Sequence, residues 1–317
     1  MRVGLGIDDS VDVSEALLAR CGMFVLPSTL HLGEERAVVG RDAETTARLY
    51  AENWLSRYAH SAISSAQSVE EIEAMFSQRL ATEFDYVFLI TLMSERSETP
   101  RNAQRAARHV TRDSATARAR NNRPGPFALR LVDSRSVFTG PALLAWEAAR
   151  LIEAGALPNV IRDRLDALIP HIDAHLVPQD IGYMRSRLLR RGDRSVGWMT
   201  YQLGRVLDVK PILRARRGKT TSLARVRGFD AAVRQLFERA CAQIDRGLGL
   251  PCIAVSYGGA LSDLERLPGF AELRAAAREH QIEIMTAVMS AVGAANVGPG
   301  AVSLSYCQPL RGNPAEA

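Results

Sequence analysis

The chain has 317 residues, 47% of them hydrophobic and 24% charged, with a formal net charge of +5. Those proportions exclude a disordered or collagen-like chain and suffice for two domains, each with a core. No apolar run approaches the roughly 18 residues that a membrane-spanning helix requires.

The first half repeats one unit three times, an apolar run followed by a Ser/Thr/Asp-rich loop and a helix. Residues 3–7 form the first run, followed by Asp8-Asp9-Ser10 and a helix over Glu15–Cys21. Met1-Arg2 leads straight into that run with no signal-peptide pattern. The four cysteines (Cys21, Cys241, Cys252, Cys307) form no Cys-x-x-Cys pair and read as reduced core thiols, so a cytoplasmic location is expected. Ser68-Val69-Glu70-Glu71 is a capping box that predicts a helix to about residue 81.

The second unit is residues 86–92, then Ser94, Ser97 and Thr99, then a helix from Arg101. The third is residues 127–132, then Asp133-Ser134-Arg135-Ser136, then a helix over 142–154 bracketed by Pro141 and Gly155. Such alternation predicts a parallel sheet with helices on both faces. The loops after its strands gather at one edge, where helix N-termini also point, and suit a small polar or anionic group.

Arginine supplies most of the positive charge, since only Lys210 and Lys219 are lysines. Arg101, Arg105, Arg108, Arg112, Arg118, Arg120 and Arg123 run through one helix and its following loop, read first as a solvated face. The alternative is a surface for anionic lipid or an acidic partner. No aromatic interleaving accompanies the charge, so nucleic acid is not expected.

Beyond a short Gly/Pro/Asn connection near residues 156–159, the pattern changes to a mixed sheet with helices on one side. Residues 210–215 and 220–226 flank Arg216-Arg217-Gly218-Lys219 as a hairpin. A helix over Phe229–Asp245, a strand at 252–256, a helix at 262–280 and strands near 282–287 and 301–306 follow. Gly218-Lys219-Thr220 ends like a phosphate-binding loop, but Leu213 stands where that motif needs glycine. His171 and His175 have the four-residue spacing of helical zinc ligands without a third ligand, so no metal is expected. Asn296-Val297-Gly298-Pro299-Gly300 allows close backbone approach to a ligand, or simply a tight turn.

Taken in order from about Val3 to Tyr306, these segments resemble the DegV family of bacterial fatty-acid-binding proteins. The resemblance rests on Ile7-Asp8-Asp9-Ser10 with Asp12, Ser64-Ser65-Ala66-Gln67-Ser68, Arg96-Ser97-Glu98-Thr99-Pro100, and Val132-Asp133-Ser134-Arg135-Ser136 with Gly140. In the second half it rests on Gly192-Asp193-Arg194, Lys210-Pro211-Ile212-Leu213 with Val226-Arg227-Gly228, and residues 296–300. Relative to the family pattern, Ser64 replaces threonine, Glu98 glycine, Pro100 tyrosine and Asn296 histidine.

The resemblance implies an N-terminal three-layer α/β/α domain (1–158) and a C-terminal two-layer α/β domain with a mixed sheet (159–317) closing a lipid pocket. It implies a fatty acid ligand bound by Ser64, Ser65, Ser97, Thr99, Asn296 and Gly298, with Arg194 on the phosphate or partner side. Asp8, Asp9, Ser10, Asp133 and Arg227 are assigned to the pocket rim or to structure. The expected role is a non-catalytic carrier presenting its lipid to a fatty acid kinase, without a cofactor. The competing reading is a hydrolase or transferase using Asp8, Asp9, Asp133 and Ser97, and a third is a lipid-controlled regulatory module.

Overall fold

The computed structural model describes residues 1–41, 43–58, 62–123, 125–190 and 208–310. Strands β1 (Val3–Asp8) and β2 (Phe24–Leu26) open the chain. Three short strands follow, β3 (Ser28–Leu32), β4 (Glu35–Val39) and β5 (Ile63–Ala66), and then β6 (Tyr86–Thr91) and β7 (Ala128–Asp133). Strands β2-β1-β6-β7 form one parallel sheet in that order. The expected repeat is therefore present, and the loops after β1, β6 and β7 share one edge.

The sheet β4-β3-β5 is antiparallel and has no counterpart in the sequence reading. Its strands are short, and their outer face mixes the polar His31, Arg36 and Ser65 with the apolar Val38 and Ile63. Leu30 and Leu32 face inward and are buried, but Val38 and Ile63 on the outer face are exposed and blur the alternation.

The second half builds the mixed sheet β10-β9-β8-β13-β11-β12. Its strands are β8 (Ile172–Val177), β9 (Val209–Arg216), β10 (Lys219–Arg227), β11 (Cys252–Tyr257), β12 (Glu283–Val288) and β13 (Val302–Cys307). The β9–β10 hairpin turns on Arg217 and Gly218, with φ of 52° and 77°. Two successive positive φ values match the strand twist, and glycine takes one of them without strain. The expected helix over 262–280 is instead two pieces, Leu261–Leu264 and Phe270–Glu279. Pro268 cannot continue a helix, and Gly269 starts the second piece at φ 89°.

The helix Thr139–Glu153 begins two residues before Pro141 and packs against strands of both large sheets, β1 and β6 on one side and β8, β11 and β13 on the other. Residues 139–149 are consequently all buried. The mixed sheet carries Phe229–Asp245 and Phe270–Glu279 against its other face. The helix predicted from the capping box is Val69–Met75, continued by a π-helical turn at Phe76–Leu80 and a short turn at Ala81–Glu83.

Thr99–Asp113 exposes Arg101, Arg105, Arg108 and Arg112, as a solvated face requires. Arg118 corrects that reading. It is 1% exposed and donates to the carbonyls of Ala81, Phe84 and Gly125 and to Asp85. Its charge serves the packing of the helix on its neighbours and is lost to the surface.

Candidate functional site

Three carboxylates leave the end of β1, and each binds a different part of the molecule. Asp8 accepts from the backbone N–H and hydroxyl of Ser10 at 2.9 and 2.5 Å and from the N–H of Leu92, after β6, at 2.7 Å. Asp9 accepts from the N–H and Oγ of Ser28, opening β3, at 2.8 and 2.7 Å. Asp12 accepts from Ser256 Oγ at the end of β11 at 2.6 Å and from the Ser290 N–H at 2.8 Å. Arg41 approaches Asp12 at 3.2 Å and also donates to the carbonyls of Val13 and Val288. One loop thereby ties together all three sheets.

All three carboxylates are buried. Burial pushes Asp8 up to about 6, against the lowering effect of its bonds from Ser10 and Leu92. Asp9 rises to about 8, because burial is reinforced by the Asp8 charge beside it. Burial also raises Asp12, opposed by the Arg41 cation.

The other crest loops close on the hairpin. Asp133 accepts from the N–H groups of Arg135 at 2.9 Å and Ser94 at 3.4 Å. Gly218 N–H donates to Arg135 O at 2.8 Å, and the Arg135 guanidinium reaches Glu95 and Arg217 O. Asp8, Asp9, Ser10 and Asp133 thus hold the framework of the crest. Arg227 is exposed at the end of β10, at the opposite end of the hairpin from its tip.

Ser97 Oγ accepts from the Thr99 N–H at 3.1 Å and bonds Thr99 Oγ1 at 3.0 Å, fixing the entry to Thr99–Asp113. Asn102, in the first turns of that helix, donates to Gln67 O just after β5 at 2.8 Å, and Gln67 donates to Thr29. On its other flank β5 packs against the helix Ala291–Val297. The candidate residues Ser64, Ser97, Thr99, Asn296 and Gly298 therefore lie on three elements brought together around β5.

Ser65 stands apart from them. Strand alternation turns Ser64 inward with its partner Leu30 and Ser65 outward, where its hydroxyl meets His31 at 3.0 Å. Asn296 is half-buried and donates through Nδ2 to Val292 O, one turn back on its own helix. Gly298 has φ 93°, and a Cβ there would approach the Tyr183 ring at 3.2 Å. Behind this junction is an apolar cluster with Leu30 and Leu32 from β3, Leu176 from β8, Leu213 from β9, and Met289, Val292 and Ala295 around the helix.

Arg194 and the Gly192-Asp193 beside it lie outside the described residues. His171 and His175 do not share a helix, since His171 ends the 3₁₀ turn Ile169–His171 and His175 is within β8. Burial lowers the His175 imidazole to about 4. Among the described residues no group of three or more His, Cys, Asp or Glu side chains is placed to hold a metal ion. No described helix is long and apolar enough to cross a membrane. Sequence reasoning gave no role to Arg41, Ser28, Ser256 or Ser290. Their only signal was residue type, because each meets its partner through tertiary contact alone.

A parallel sheet and a mixed sheet sharing one helix, with a hydroxyl-bearing junction beside an apolar cluster, define a two-domain α/β protein. The family model described as "Uncharacterised protein, DegV family" matches residues 2–308, and the chain belongs to the DegV family. A DegV domain-containing protein of Xanthomonas axonopodis pv. citri is 36% identical over 306 residues, covering 96% of this chain and 97% of that one. Among solved structures, DegV from Bacillus subtilis, a fatty acid binding protein, superposes with a TM-score of 0.74 at 20% identity, covering 97% of this chain and 99% of that one. A stearic acid-binding protein from Eubacterium ventriosum gives 0.75 at 18% identity with the same coverage. These likenesses establish a common fold.

Proposed function

We propose that this protein binds a long-chain fatty acid without transforming it, and carries it in the cytoplasm to a kinase that forms the acyl phosphate. The observation that supports the reading is β5, whose Ser64 pairs with Leu30 of the apolar cluster and whose end at Gln67 accepts from Asn102 of the helix that follows Ser97. The two solved structures named above are of fatty acid binders with this fold, which supports the same reading.

The chemistry is consistent. A carboxylate leaving water needs charge-assisted hydrogen bonds, and hydroxyl and backbone N–H donors supply them. The acyl chain contributes about 0.8 kcal/mol per buried CH₂. Ser97 spends its bonds on Thr99, and Asp8 and Asp9 accept from serine hydroxyls and backbone N–H groups. That arrangement favours binding over a hydrolase or transferase, which needs a nucleophile activated by a base. Arg194 is proposed to face the kinase, and the exposed arginines of Thr99–Asp113 an anionic membrane surface.

Denaturing mass spectrometry of purified protein is the test. A stoichiometric long-chain fatty acid released on denaturation is expected. Protein that carries none, and acquires none when incubated with palmitate, would exclude the reading.

A further inference from the structure

Arg187, on the helix Ile181–Arg190, is 4% exposed, yet its guanidinium is largely unused. Nη1 donates to Ala62 O, whereas Nε and Nη2 are buried with no hydrogen-bond partner. The Tyr183 ring lies 5.3 Å from Cζ, and no acidic side chain among the described residues forms an ion pair with it. A buried cation without a carboxylate is costly, and a ring face with one carbonyl compensates it only in part.

The surroundings say what would complete it. Ala62 precedes Ser64 by two residues, so Arg187 anchors at the entrance of β5. Its helix packs on Ala291–Val297, and Tyr183 donates to Ala295 O while its ring faces Gly298. Arg187 thus stands beside the elements that bear Ser64, Asn296 and Gly298. Asn296, meanwhile, is neutral and has turned one amide hydrogen back to Val292.

We propose that Arg187 supplies the positive charge that pairs with the ligand's carboxylate, through the two nitrogens left open, and so selects acids over neutral lipids of equal length. The inference rests on the fatty-acid reading above and goes beyond it in naming a counter-charge. An arginine fork suits a carboxylate because two parallel N–H donors match its two oxygens.

The test is a cycle of ligand against variant. Palmitic acid and 1-hexadecanol are compared by displacement of a fluorescent fatty acid from the wild-type protein, Arg187→Met and Arg187→Gln. Loss of a charged hydrogen bond should weaken palmitic acid about tenfold to a hundredfold, with hexadecanol affinity changed little. A merely structural arginine would weaken both ligands alike, and equal weakening overturns the proposal while the fatty-acid reading stands. Wild-type protein that binds neither ligand overturns both. If neither variant folds, the wild-type complex decides: a palmitate carboxylate within about 3 Å of the guanidinium supports the proposal, and one bound elsewhere overturns it.

Discussion

Asp12 and Ser290 are 278 residues apart in sequence, yet the Ser290 backbone N–H donates to Asp12 Oδ1 at 2.8 Å. Ser290 in turn caps the helix Ala291–Val297 by accepting from the Gly293 N–H. The acid at the end of the parallel sheet therefore orients the helix that forms one wall of the candidate site.

Asp12→Ala should destabilise the protein by about 3–5 kcal/mol, because Arg41 would remain as a buried cation without its partner. The Arg41 side chain is only 6% exposed, so water compensates little. Urea unfolding measures the loss. A change below about 1 kcal/mol would mean that the carbonyls of Val13 and Val288 suffice for Arg41.

Stability should fall as pH rises from mildly acidic to mildly alkaline. Burial, with Asp8 beside it, raises Asp9 from 3.8 to about 8, so the folded protein keeps a proton that the unfolded chain releases. The associated stability is complete below the unfolded value and is lost as pH rises through the folded one, at no more than about 1.4 kcal/mol per pH unit for one group. Asp8 adds a slope of the same sign up to about 6. Asp9→Asn should flatten the dependence between pH 6 and pH 8 in thermal melts. A wild-type protein that gains stability across this window would contradict the assignment.

Two arginines of the same sequence run should differ sharply. Arg118→Met leaves Asp85 and three carbonyls short of a donor, and should cost about 3–5 kcal/mol. Arg105→Ala, on the exposed face, should stay within about 0.5 kcal/mol. Equal effects in denaturant unfolding would refute this division.

Ser97→Ala removes the acceptor for the Thr99 N–H, a loss of about 0.5–2 kcal/mol in stability by analogy with helix caps. If Ser97 also binds the lipid carboxylate, palmitate affinity should drop by about 1–3 kcal/mol. Ser65→Ala, altered on the outward face, should retain lipid as the wild type does. Isothermal titration of both variants separates the roles, and an intact Ser97→Ala affinity would remove Ser97 from the site.

The strand–loop–helix units after β1, β6 and β7, the capping box at Ser68 and the hairpin at Arg217-Gly218 were all legible in the sequence. Each is decided within a few residues, by apolar periodicity, by a side chain capping its own helix, or by backbone angles that glycine tolerates. The sheet β4-β3-β5 was not legible, because its strands are short and the exposed Val38 and Ile63 on the outer face break the alternation of apolar and polar residues. Nor was the break at Pro268-Gly269 in what reads as one helix.

Tertiary structure alone decided which charges are buried. Arg118 looks no different in sequence from the exposed Arg112, and Arg187 no different from its arginine-rich surroundings. Their burial follows from how helices stack, which is summed over contacts far apart in the chain. The pairing of Asp12 with Ser256 and Ser290, and the opposite facing of Ser64 and Ser65, follow in the same way from the register of strands that meet only on folding.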